Sequence, residues 1–262
     1  MTQPRSPWLK RAAGQLPVLS LLVPLSYASL EAAPLPNDVR EEINKTITLN
    51  PNSQVTIRGI NGSVEIETWN SGQAEINITI TASDRGALER RPLLVENTPN
   101  SLTIYTEELD EGGHHRGNVR HHVRLRLPNS IHLKVSSVNG RVEVGEITGS
   151  VAISSINGGV RVAHAGSASQ ISSVNGGVSI SLGSLGEQGL RVSSINGGIE
   201  LRIPAATNAE LEVRSVNGGV DADFPMTITG RQKHGELRGT LGSGGARIDI
   251  SSVNGGVRLR KL

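Results

Sequence analysis

The sequence predicts an all-β protein: a β-solenoid of repeated two-strand rungs over 131–262, preceded by an irregular β-rich part over 45–130. Three observations carry that reading. One phrase recurs, as SSINGGV at 154–160, SSVNGGV at 172–178, SSINGGI at 193–199 and SSVNGGV at 251–257. A phrase written many times is architecture, because a catalytic motif needs one copy. Apolar residues alternate with a period of two on both sides of each Asn-Gly, the spacing of strands with one buried face. Aromatics make up only 2% of the chain while Gly contributes 31 residues. A core of Val, Ile, Leu and Ala must be thin and regular.

Residues 1–28 read as a secretory signal peptide. Arg5, Lys10 and Arg11 form a basic start, and LPVLSLLVPLSYA at 16–28 is an apolar run too short for a bilayer, which takes about 20 residues. Ser26 and Ala28 place small residues before a cleavage point, so the mature chain begins near Ser29. Residues 29–44 read as an N-terminal linker. No second apolar run follows, so no transmembrane segment is expected in the mature chain. The whole chain has 26 Lys+Arg and 24 Asp+Glu, but the signal holds three of the basic residues and no acid. The remainder is close to neutral, and no nucleic-acid partner is expected. The absence of Cys excludes disulfides, thiolate metal sites and a lipid-anchored cysteine.

In the irregular part, KTITL (45–49), QVTIRGI (54–60), SVEIETW (63–69), AEINITITA (74–82), SLTIYTE (101–107) and HVRLRLP (122–128) alternate as strands. Turn clusters such as NPNS (50–53) separate them. The polar, Gly-rich run at 107–118 reads as a surface loop. No segment shows a helical period. The regular array starts near 131. An excursion at 226–246 breaks it, and IDISSVNGGVRL (248–259) ends it as part of a cap.

The repeat is aligned on Asn61, Asn139, Asn157, Asn175, Asn196, Asn217 and Asn254. At offsets −6, −4, −1, +3 and +5 every residue is apolar except Ser169. Around Asn157 these are Val151, Ile153, Ile156, Val160 and Val162. Asn and the following Gly (Gly140, Gly158, Gly176, Gly197, Gly218 and Gly255) tolerate positive φ, so the chain turns there. Two architectures fit. Stacked β-hairpins with Asn-Gly at the tip are the alternative. In a solenoid each phrase is one rung, and the residue at −1 points inward at a corner. Val or Ile occupies −1 in every phrase, which favours the solenoid. The Asn residues then stack into a buried amide ladder, and the Asn and Gly positions form a structural turn ladder.

GSVEIETW (62–69), HVRLRLPNSIHLKVSSVNG (122–140), the VNGGV rungs and GELRGTLGSGGARIDISSVNGGVRL (235–259) resemble the bacterial putative-adhesin family of envelope β-proteins, a domain of unknown function, and the related GIN-type adhesin-head domains. The resemblance implies a solenoid-like β fold, export and no established catalytic activity. It supplies no functional residues.

The chemistry-bearing residues do not converge. His114, His115, His121, His122 and His132 lie close in sequence, but adjacent His121 and His122 face opposite sides of a strand and no carboxylate spacing accompanies them, so no metal site is expected. The repeated Ser pairs fit corners; no G-x-S-x-G or S-x-x-K is present. GTLGSGGAR (239–247) lacks the Lys-Ser/Thr of a P-loop and reads as a turn. Glu107, Glu108, Asp110 and Glu111 read as a solvated loop. At offset +4 the outward column is Glu143, Arg161, Ser179, Glu200, Asp221 and Arg258, in which Glu200 and Asp221 form the adjacent acidic pair. No catalytic, cofactor-binding or metal residues are assigned. The function expected is a non-enzymatic exported envelope or cell-surface protein, an adhesin or an envelope-stress-related scaffold, in the periplasm or outside the cell. Its partner is an unidentified envelope, surface or matrix component. The alternatives are a β-helical polysaccharide-acting enzyme and a scaffold that oligomerises end to end.

Overall fold

The computed structural model describes residues 38–108, 118–165, 169–223, 225–229 and 234–262. The signal segment, residues 29–37 of the expected linker, and His114 and His115 lie outside them.

Strand β1 (Val39–Thr48) opens the described chain. Residues 39–44, read as linker, are therefore strand: Ile43 and Ile47 pack on the core while most of the other residues face solvent. The long strand β2 (Gln54–Trp69) and β3 (Gln73–Ala82) follow. A six-residue helix α1 (Arg85–Arg90), not anticipated from the sequence, starts where the Asp84 side chain accepts the Ala87 N–H at 2.8 Å. Then come β4 (Leu93–Thr98), β5 (Ser101–Thr106) and β6 (Val119–Pro128).

From there each Asn-Gly separates a leading strand from a following one. The leading strands are β7 (His132–Asn139), β9 (Val151–Asn157), β11 (Ser169–Asn175), β13 (Leu190–Asn196), β15 (Ala209–Asn217) and β19 (Arg247–Asn254). The following strands are β8 (Val142–Ile147), β10 (Val160–Ala165), β12 (Val178–Leu182), β14 (Ile199–Ile203), β16 (Val220–Ala222) and β20 (Val257–Lys261). Two further short strands, β17 (Thr227–Ile228) and β18 (Glu236–Leu241), occupy the excursion.

The two strands of a phrase do not pair with each other, as a hairpin would require. β9 pairs in parallel with β7 and β11, whereas β10 pairs in parallel with β8 and β12. Leading strands thus build one sheet and following strands a second, a solenoid-like arrangement. β2 is a full rung: residues 54–61 lie in the first sheet beside β5 and β7, and residues 62–69 in the second beside β6 and β8. The regular stack therefore reaches back into the part read as irregular.

Rung order differs from chain order. β19 lies between β13 and β15, and β20 lies between β14 and β16. The last phrase is interior rather than part of a cap, and the Asn217 rung is terminal. β18 closes the outer edge of β15 antiparallel, and β17 follows it. At the opposite end, β4 pairs antiparallel with β5, and β1 with β3. Antiparallel strands thus blunt both sheets at this end and the first sheet at the other, where the second sheet ends on the three-residue β16; long open edges are avoided.

The core lies between the sheets. Val151, Ile153, Val160 and Val162 are buried, and the same offsets are buried in most of the other rungs. The −1 column corrects the sequence reading. Only Ile60 is buried there, at 0% exposure, while Val138 is 40% exposed, Ile156 45%, Ile195 46%, Val253 40% and Val216 69%. The pleat explains it: with −6 and −4 inward, −2 is inward and −1 must face out. Ile60 escapes because Gly59, at φ +73, makes a bulge that shifts the register. The inward residue at −2 is serine: Ser137, Ser155, Ser173, Ser194, Ser215 and Ser252, all buried.

Candidate functional site

The edge where the two sheets meet carries the repeated residues, and it is built from rung-to-rung hydrogen bonds. Asn139 Nδ2 donates to Asn61 Oδ1 at 2.7 Å, Asn157 to Asn139 at 2.9 Å, Asn175 to Asn157 at 2.8 Å and Asn196 to Asn175 at 2.8 Å. The inserted rung continues the series: Asn254 donates to Asn196 at 2.8 Å and Asn217 to Asn254 at 2.9 Å. Asn61 Nδ2 ends it on the Val119 carbonyl at 2.6 Å. Backbone bonds run the other way, with Gly140 N–H donating to Asn157 O at 2.8 Å and Gly158 N–H to Asn175 O at 2.9 Å. Each Asn is thus tied to its neighbour through both side chain and main chain. Except for half-buried Asn61, these side chains are exposed, so the column is not the buried one anticipated.

The inward serines serve the same corner. Ser173 Oγ donates to the Gly158 carbonyl at 3.4 Å, Ser194 to Gly176 at 3.4 Å and Ser215 to Gly255 at 3.0 Å. A small hydroxyl fills the narrow end of the core and meets a carbonyl there. The period of two around Asn-Gly already contained this signal, since −2 continues −4 and −6.

The glycine after each Asn is required by stacking. A Cβ at Gly158 would lie 1.9 Å from the Gly140 carbonyl oxygen, and one at Gly140 would lie 2.4 Å from that of Gly62. Gly176, Gly197, Gly218 and Gly255 face the same constraint from neighbouring carbonyls. Positive φ adds a second reason at Gly62, Gly140, Gly176, Gly197 and Gly255, as the sequence suggested, but not at Gly158 or Gly218, and no Asn of the phrase has it. The second glycine differs. A Cβ at Gly159 or Gly177 would come no nearer than 3.5 Å to a neighbouring carbonyl, and Gly219 has open space. Arg141 and Ser63 stand at the equivalent place. The second glycines form the floor of a shallow groove edged by Arg141, Arg161, Ser179, Glu200 and Arg258.

Charges along this edge are paired. Glu143 meets Arg141 at 3.4 Å and Arg161 at 3.5 Å. Arg202 meets Glu200 at 2.8 Å, and Arg260 meets Asp221 at 2.6 Å. The Arg260 guanidinium holds the Asp221 carboxyl below its ordinary range. Glu200 and Asp221 are not neighbours, because Arg258 on the inserted strand separates them. At the far end Glu212 is held by Arg214, Arg238 and Arg247 together.

Among the histidines, His121 is buried against the first corner. The Asn61 N–H donates to its Nδ1 at 3.2 Å, which places the proton on Nε2, and Nε2 has no hydrogen-bond partner among the described residues. Burial pushes this imidazole down to about 4. His122 Nδ1 pairs with the Ser63 hydroxyl, and His132 Nδ1 with the Ser150 hydroxyl at 2.8 Å. Among the described residues no group of three or more His, Cys, Asp or Glu is placed to hold a metal ion. No described helix is long and apolar enough to cross a membrane.

The chain is weakly similar to several solved structures. A putative cell adhesion protein from Clostridium sporogenes is 12% identical, covering 85% of this chain and 100% of its own, with a TM-score of 0.48. A putative adhesin from Bacteroides fragilis is 9% identical over 85% of this chain and 97% of its own, with a TM-score of 0.33. A putative lipid binding protein from Parabacteroides distasonis is 15% identical over 87% of this chain and 97% of its own, with a TM-score of 0.29. No curated protein matches the chain. Residues 131–260, which hold all the phrases except the one at Asn61, match the family model Toastrack DUF4097.

Proposed function

We propose that the chain is a non-enzymatic, exported protein of the cell envelope or surface, a solenoid scaffold that binds a partner through its repeated faces. One observation carries the reading. The Asn amides and the inward −2 serines that recur along the chain are engaged in holding rung to rung: the amides by one another, and those hydroxyls by corner carbonyls. Nothing in that array is left as a poised nucleophile or base. In the +4 column Glu65 and Glu143 stand side by side, but Arg124 holds Glu65, and Arg141 and Arg161 hold Glu143, while Arg258 separates Glu200 from Asp221, which supports a charge-paired surface over the free acid pair of a glycosidase. The uninterrupted features left on the outside are shape and apolar surface, which serve recognition.

The signal-like start at 1–28 supports export. The test is to express the tagged chain in a bacterium, fractionate the cells and sequence the N-terminus of the product. The expected result is a chain beginning near Ser29 in the periplasm or medium. A full-length cytoplasmic chain starting at Met1 overturns export. Cosedimentation with cell-wall and matrix preparations then tests binding, and soluble sugar released from those preparations overturns the non-enzymatic reading.

A further inference from the structure

The outer face of the first sheet carries a feature that the fold does not need. Its columns run across six parallel strands in the order β7, β9, β11, β13, β19, β15. The −1 column is a ridge of Val138, Ile156, Val174, Ile195, Val253 and Val216, all but half-buried Val174 exposed. Beside it the −3 column is serine on every strand but the last, where Arg214 stands. Uncharged Ala152 and Gln170 extend the panel at −5. Its charges sit at the margin: Lys134 at one end, Arg191, Asp249 and the arginine-ringed Glu212 towards the other. A core empty of charge inside a charged rim is the composition of a protein interface.

We propose that this panel is the contact between two copies of the chain, packed face to face through the first sheets. The size is sufficient. Six strands about 4.8 Å apart and five residues (−5 to −1) of about 3.3 Å along each strand give a panel of about 29 by 17 Å. With side-chain relief that is roughly 600–700 Å² per copy, or about 1,200–1,400 Å² in all, the lower end of a stable interface. Periodicity selects the partner. The ridge repeats at the strand spacing, and the surface certain to repeat at that spacing is another copy of the panel. Under a two-fold axis each Val or Ile lodges between two of its counterparts, as inner faces interdigitate in a β-sandwich. A sugar polymer is a poorer fit, because the panel has no aromatic ring on which to stack it.

The ridge is exposed, so it can be changed without opening the core. The experiment is sedimentation equilibrium of the purified chain at about 1–100 µM, with the double variant Ile156→Arg/Ile195→Arg and a control, Arg161→Gln, on the other sheet. The expected result is a dimer for the parent and the control, and a monomer for the double variant with unchanged far-UV circular dichroism. A monomeric parent at the highest concentration overturns the proposal. So does a double variant that still forms dimers, which includes the case of dimers held through the N-terminal segment. If the double variant unfolds, the milder pair Ile156→Ser/Ile195→Ser is read in its place, by the same criterion.

Discussion

Two adjacent glycines in one phrase separate what the stack requires from what it merely accepts. Gly158→Ala adds a Cβ that would lie 1.9 Å from the Gly140 carbonyl oxygen and 2.6 Å from its carbon. Both are backbone atoms, so neither can swing aside. Restoring ordinary contact moves the rungs apart by about 1.3–1.5 Å, and hydrogen bonds weaken steeply over such a displacement. The bonds in its path are Gly140 N–H to Asn157 O at 2.8 Å and Asn157 Nδ2 to Asn139 Oδ1 at 2.9 Å. Losing two bonds of about 1 kcal/mol each, together with the gap opened between rungs, gives a destabilisation of about 2–4 kcal/mol. In a chain of this size that lowers Tm by roughly 5–15 °C. Gly159→Ala places its Cβ 3.5 Å from the Gly177 carbonyl, an ordinary contact, at a φ that is not positive. Its cost is within about 0.5 kcal/mol, and the stiffer unfolded chain favours a small gain. Thermal and urea melts of both variants, followed by far-UV circular dichroism, make the comparison. If the two variants melt alike, the close approach of rungs at the first glycine is not what holds the corner.

The other predictions use the same readout. Asn175→Ala removes a donor to Asn157 and an acceptor from Asn196, both at 2.8 Å; exposed as the ladder is, the loss should be about 1–2 kcal/mol, and a parent-like melt would show the amides to be ornamental. Ile153→Ala, at a residue 2% exposed, should cost about 2–5 kcal/mol, whereas Ile156→Ala should cost under about 0.5 kcal/mol; equal costs would return the −1 column to the core. His121 has a folded pKa of about 4, below the free value, so the unfolded chain takes up the proton first. Stability is then complete above about pH 6.5, falls by about 3 kcal/mol as pH drops towards 4, and is flat below that for this group. Melts at pH 7, 5.5 and 4 should show this loss in the parent and not in His121→Leu; parallel curves would remove the buried imidazole from the account.

Much of the fold was legible because a pleated strand has only one period. Val151, Ile153, Val160 and Val162 were assigned to the core from spacing alone, and they are buried. The same arithmetic, carried one step further, would have placed Ser155 inside and Ile156 outside. Apolar character at −1 outweighed the pleat in the sequence reading, and the pleat decides. The helix at Arg85–Arg90 was invisible because six residues are too few to display a period. β2 was visible as two strands, QVTIRGI and SVEIETW, and its Asn61 phrase aligned with the others, but its pairing with β5, β6 and β7 was not, because contacts between distant segments leave no mark in the alternation.

The sequence by itself determined the rung: its alternation, its corner, and a glycine where the next backbone comes closest. The tertiary structure alone decided the order of the rungs. Every phrase carries nearly the same corner, so the Asn196 rung can accept Asn217 or Asn254 with almost the same hydrogen bonds, and local sequence does not discriminate between them. The choice falls to the rest of the chain. β18 folds back along the outer edge of β15 and covers it, which makes the Asn217 rung terminal and leaves the slot beside β13 to β19. That long-range pairing puts Arg258 between Glu200 and Asp221 and Val253 between Ile195 and Val216, so the charge pattern and the apolar ridge are properties of the stack rather than of the sequence order.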